Sequence, residues 1–137
     1  MSQSSYPGSS DGGRPIDSEI TPQFDFGSIA ALGGGDQVLV ERLVVGVIQS
    51  LREDLLALER LLAKGDRLGL AALAHRVKGT AKLVNAVVLE GACNALEVGA
   101  GHVSLTELQA DGDRLCDLLL RMEIALFASF PGAQEKL

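Results

Sequence analysis

From Asp36 onward the chain carries an apolar residue at nearly every third or fourth position. Leu39, Leu43, Val44, Val47, Ile48, Leu51, Leu55, Leu58 and Leu62 recur at that spacing. The pattern lines one face of a 3.6-residue helix and predicts about seven turns. Asp36 suits the N-cap. Lys64-Gly65-Asp66 breaks the run: Gly65 fits the left-handed residue after a helix, and Asp66 fits the next N-cap. A second long segment follows from Asp66 to about Val84. Asn85 is expected to end it, because Asn tolerates the left-handed conformation, and to be able to cap the next helix. A third, about 86–99, turns Leu89, Ala92, Cys93 and Leu96 inward. Beyond the Gly99–His102 loop, Ser104 and Glu107 match a capping box. Leu105, Leu108, Leu115, Leu119, Met122 and Leu126 carry the last helix.

The flanks are different. Residues 1–23 are rich in Ser, Gly and Pro and lack the apolar content to offset chain entropy, which predicts a flexible linker or tail. A short helix is expected at 25–32, capped by Asp25 or Ser28 and stopped by Gly33–Gly35. Residues 131–137 are expected to fray. No alternating strand pattern competes with the helices. Short loops favour antiparallel neighbours, so the expectation for 24–130 is an all-α fold: an up-down antiparallel four-helix bundle with a short extra N-terminal helix.

Composition narrows the function. With 4% aromatics and no Trp, the core must be built from Leu, Val and Ala. The net charge of −6 and the lack of a basic stripe argue against nucleic acid. No apolar run approaches the ~20 residues that span a bilayer, so no direct membrane contact is expected. The first fifteen residues are polar, without the apolar region of a secretory signal. Cys93 and Cys116 form no C-x-x-C pair and read as free thiols, buried in a reducing compartment.

The chemistry concentrates in the segment from Asp66 to Val84. On a helical wheel Leu70, Leu73, Ala74, Val77, Ala81 and Val84 form one stripe, and His75 falls on the opposite side. Its helical neighbours are Ala71 and Ala72 below and Lys78, Gly79 and Lys82 above. Arg76 adds a further positive charge. A glycine inside a helix costs about 1 kcal/mol relative to alanine, yet Gly79 stands one turn above the histidine. A neutral imidazole is a competent nucleophile. If it carries a phosphoryl group, Lys78 and Lys82 offset the charge, while Gly79, Ala71 and Ala72 leave room for the group and for a docking protein. Leu68, apolar on a face that should be polar, extends the docking surface. A metal site is not expected: His75 and His102 are the only histidines, and positions 71, 72, 78 and 79 supply no carboxylate. His102, in a Gly-rich loop, reads as exposed and inert.

"HRVKGTAKLVNA" followed by "LEGACNALE" resembles the histidine-containing phosphotransfer (HPt) domain. The family pattern is His, two residues, Lys, Gly, small residues, then an apolar turn and a helix ending in Leu-Glu. The resemblance covers about residues 26–130 and is closest to the C-terminal HPt modules of bacterial hybrid sensor kinases. It implies that His75 accepts a phosphoryl group at Nε2 from an aspartyl phosphate on a receiver domain and passes it to a second receiver. It implies no ATP-dependent kinase activity, no cofactor in this chain and Mg²⁺ on the partner receiver only. Lys78 and Gly79 carry over as the motif's charge partner and clearance residue. Thr80 stands where the family often has Ser or Ala, and Asn85 where Gly is usual. The implied partners are response-regulator receivers and an upstream hybrid kinase in the same chain. The implied location is the cytoplasm, free or as the cytoplasmic end of a membrane-anchored sensor. The dimerisation domain of a histidine kinase fits less well, since Arg76 follows the histidine and no Pro lies between 23 and 130. A non-phosphorylated adaptor bundle is the alternative from another functional class.

Overall fold

The computed structural model describes residues 24–137. The linker expected at 1–23 lies outside the described residues. The elements are α1 Gly27–Leu32, α2 Gln37–Lys64, α3 Arg67–Leu83, α4 Val87–Gly99, α5 Leu105–Ser129 and α6 Pro131–Gln134. The four long helices run up and down around one core. Each packs against its neighbours in the chain, and α2 meets α5 to close the ring. Among the described residues there is no strand, and no helix is long and apolar enough to cross a membrane.

Local chemistry sets the helix ends. The Asp36 carboxylate accepts from the Val38 and Leu39 N–H groups at 3.0 and 3.3 Å. Asp66 accepts from Gly69 N–H at 2.9 Å. Such caps satisfy donors that a helix start leaves unpaired, each worth about 1 kcal/mol. Gly65 takes φ 65°, and Asp66 N–H then closes on the Leu61 carbonyl at 3.0 Å. In the Ser104–Glu107 capping box, Glu107 N–H donates to Ser104 Oγ at 3.1 Å and Ser104 N–H to Glu107 Oε1 at 3.2 Å.

Several expectations shift. Helix α1 has Phe26 at its N-cap without a side-chain cap; Asp25 acts one residue earlier, accepting from Gly27 N–H at 2.8 Å. Leu39 is exposed and Val40 is buried in its place. Gly33 explains the change, because any Cβ there would collide with the Val40 side chain. Asn85 does adopt a positive φ of 49°, but it does not cap α4. Its amide donates to Asp25 Oδ2 at 3.3 Å, which ties the entry segment to the α3–α4 turn. The C-terminus does not fray after Phe130. Pro131 opens the turn of α6, a position that needs no N–H. Ala133 is fully buried, and Lys136 pairs with Glu41 of α2 at 2.9 Å.

The core is aliphatic, as the composition requires. Leu70, Leu73, Ala74, Val77, Ala81 and Val84 are all buried, and so are Leu89, Ala92, Cys93 and Leu96. Burial pushes the Cys93 thiol up to about 12, so this sulfur behaves as a small apolar side chain. Cys116 is only partly buried, and both thiols are free.

Leu68 and Leu70 lie two residues apart with opposite fates: Leu68 is 87% exposed and Leu70 0%. Leu70→Ala should therefore lower unfolding stability by roughly 2–5 kcal/mol through lost burial and a cavity. Leu68→Ala should change it by less than about 0.5 kcal/mol. Urea unfolding followed by circular dichroism measures both.

Candidate functional site

Helix α3 turns its apolar stripe into the bundle, and this aims the opposite side at solvent. His75 is on that side, with 71% of its side chain exposed. Ala72 and Gly79 beside it are exposed, and Ala71 is half-buried. A Cβ added at Gly79 would meet no atom within 4 Å. The fold itself thus has no packing need for the glycine. Lys82 is exposed and lies two turns above His75, about 10 Å along the axis.

The ring is held from the neighbouring helix. Glu97 of α4 reaches across the α3–α4 seam and places Oε2 2.7 Å from His75 Nδ1. Its other oxygen accepts from Lys78 Nζ, also at 2.7 Å. One carboxylate therefore bridges the histidine and the lysine one turn above it. A carboxylate only accepts, so the ring nitrogen facing it carries the hydrogen. This leaves the lone pair on Nε2, on the solvent side. Glu97 is only a quarter exposed. The Lys78 ammonium, and after it the His75 ring, hold the Glu97 carboxyl below the ordinary glutamate range.

Glu97 did not emerge from the sequence as part of the site. The helix ending Leu-Glu was visible, and Glu97 follows the inward-facing Leu96. The only hint was that such a position borders the next helix. The Lys78 ammonium is engaged by the same carboxylate, donating to Glu97 Oε1. Arg76 points elsewhere. Its guanidinium pairs with Asp54 of α2, on the far flank of α3 from Glu97. Asp54 is the one buried charged residue among those described, 7% exposed. Its signal was available, since it interrupts the apolar run Leu51, Leu55, Leu58 on the inner face. The structure thus brings Lys78 to His75 through Glu97, leaves Gly79, Ala71 and Ala72 as an open floor, and sends Arg76 to α2. Leu68 stands at the lower edge of the same face, and His102 is remote, in the exposed α4–α5 loop.

A family model, the Hpt domain, matches residues 42–129, nearly two thirds of the chain. The chain belongs to the Hpt domain family. It is a histidine-containing phosphotransfer intermediate of phosphorelay signalling, and Hpt domains exchange phosphoryl groups with response-regulator receiver domains. Among solved structures, the fold resembles histidine-containing phosphotransfer protein B (HptB) from Pseudomonas aeruginosa PAO1, with a TM-score of 0.68 and 24% identity. The match covers 80% of this chain and 96% of that one. No curated protein matches the sequence. The Hpt helical bundle expected from the residues is the fold observed.

The Glu97 bridge has a pH signature. A carboxyl held low in the folded state contributes stability above its unfolded value, about 4.3. That contribution disappears as pH falls through the depressed folded value. The wild type should therefore lose stability on acidification below about pH 4.5 more steeply than Glu97→Gln. Denaturant midpoints at pH 6, 4.5 and 3.5 test this, and equal slopes for the two proteins would contradict it.

Proposed function

We propose that His75 is the residue that carries the phosphoryl group, with Nε2 as the nucleophile. The observation behind this reading is the Nδ1–Glu97 contact, which orients an exposed ring with its free lone pair outward. His102, the other histidine, has no comparable partner among the described residues.

The transfer needs no proton movement. The Nε2 lone pair attacks the phosphorus of an aspartyl phosphate on the receiver. The bond from phosphorus to the aspartate oxygen breaks, and its electron pair leaves with the carboxylate. Nδ1 keeps its hydrogen, and the ring's gained positive charge faces the Glu97 carboxylate. Onward transfer runs the same steps in reverse, with neutral imidazole as the leaving group. Such a reaction depends on in-line positioning and charge compensation more than on covalent machinery. Lys78 holds Glu97 and keeps donors spare for phosphoryl oxygens, since an ammonium has three. Lys82 adds positive potential above the ring. Gly79, Ala71 and Ala72 admit the partner's surface, and Leu68 gives it an apolar contact at the edge.

In this reading the chain needs no cofactor and carries no ATP-dependent kinase activity of its own. The divalent cation belongs to the receiver. The partners are two receiver domains, one on each side of the relay, and an upstream hybrid kinase joined through residues 1–23 is the proposed physiological context. The site works in the cytoplasm, where receivers reside.

His75→Gln should abolish phosphoryl uptake from phosphorylated receivers while leaving far-ultraviolet circular dichroism unchanged. The wild-type label should be acid-labile and alkali-stable. Labelling that survives the substitution, or that maps to His102, would refute the assignment. Glu97→Ala should slow labelling by up to about 100-fold, the scale of a misplaced reacting group. Single-turnover transfer kinetics measure it.

A further inference from the structure

The four long helices close a ring in which α2 packs on α3, α3 on α4, α4 on α5 and α5 on α2. The α2–α5 seam therefore lies across the bundle from the α3–α4 seam that holds His75 and Glu97. A groove of about 510 Å³ opens along it, with Leu55, Leu56, Cys116 and Leu120 in its lining. Leu56 is 64% exposed, Leu120 50% and Ile124, one turn further along α5, 69%. Single exposed aliphatic residues are ordinary, but three on one face form a patch.

The charges around the patch decide what fits it. Helices α2 and α5 run antiparallel. Arg52 Nε stands 3.1 Å from Glu123 Oε1, and the Leu62 side chain fills the space that a Cβ at Gly112 would take. This register sets Leu56 level with Leu119 and Leu120. It also sets Arg60 within about one residue's rise, ~1.5 Å, of the height of Asp113. Arg60 and Asp113 are both exposed. Among the described residues Arg60 pairs with no acid and Asp113 with no cation. The face thus carries an apolar centre and, beyond it at one end, an unmatched cation on α2 and an unmatched anion on α5.

A second copy of the same face supplies the complement of both. About a two-fold axis parallel to the helices, α2 of each copy lies on α5 of the other at equal height. Leu56 of one copy then covers Leu120 of the other, and Arg60 meets Asp113, each contact occurring twice. A two-fold axis across the helices at Leu56 stacks Arg52 on Arg60 instead, which sets like charges together. The stretch Gln109–Phe127 is ~27 Å long and two helices are ~20 Å wide, so a pair of such faces buries roughly 1,100 Å². That is the low end for a specific interface and implies a weak dimer.

We infer that the α2–α5 face is a self-association surface on which two copies of this domain pack Leu56 against Leu120 and Arg60 against Asp113. Both His75 rings stay outward and open in such a dimer.

Sedimentation equilibrium of the full chain from about 10 μM to 1 mM tests it. The wild type should dimerise within that range. Leu120→Glu should keep the circular dichroism spectrum and Tm, because the side chain is half in water, and should raise Kd at least about tenfold, the scale of one lost interface anchor. Arg60→Glu and Asp113→Arg should each raise Kd, and the double variant should return it toward wild type, since the two charges are exchanged. A wild type that stays monomeric throughout would overturn the inference. So would a dimer indifferent to Leu120→Glu, which would place the contact on another face. Single charge variants that weaken the dimer without recovery in the double variant would overturn the pairing of Arg60 with Asp113. A monomer in which Leu120→Glu shifts the NMR signals of residues 1–23 would assign the groove to the chain's own N-terminal segment and overturn the inference as well.

Discussion

The contact on which the site depends is a single carboxylate shared across two helices. Glu97 of α4 meets both His75 and Lys78 of α3 at 2.7 Å. A surface ion pair of this kind adds little to stability by itself. Its consequence is directional. A side chain with two rotatable bonds, most of it in water, gains one ring orientation and one tautomer. That outcome requires α3 and α4 to pack closely with a defined register. The turn between them is built for this: Asn85 takes the left-handed conformation, and Asp25 secures it through the Asn85 amide and a backbone bond to the Val84 carbonyl at 2.7 Å.

The other flank of α3 is organised differently. There the link to α2 is the Asp54–Arg76 pair, with the acid almost fully buried. Only the acid is buried, since the Arg76 side chain stays 64% exposed, and a partly solvated pair of this kind is weak evidence of stability. Here the pair links α2 to α3 and balances the one buried acid among the described residues. His75 and Arg76 are adjacent in sequence, yet they are held by opposite neighbours. One helix thus serves two purposes: its α4 edge orients the nucleophile, and its α2 edge balances a buried acid.

Much of this was legible in the residues. The periodicity of apolar positions located the helices, because burying a stripe is what makes a helix of this length stable in a small domain. Asp36, Asp66, Ser104 and Glu107 marked starts, since few residues satisfy a helix's free donors. The outward placement of His75 followed from the stripe beneath it. Gly79 stood out as a local cost without a local reason.

What stayed hidden depends on contacts between segments distant in sequence. Nothing local to Glu97 says that it meets a histidine 22 positions earlier; the register of α4 against α3 decides that. The same holds for Arg76 and Asp54, for Val40 displacing Leu39 against Gly33, and for Ala133 sealing the bundle end beneath a terminus expected to fray. The sequence by itself determined the helices, their caps and the exposed histidine, because each follows from spacing within one turn or two. The tertiary structure decided which nitrogen of that histidine is free and what lies on either side of it, because those depend on how neighbouring helices are set against one another.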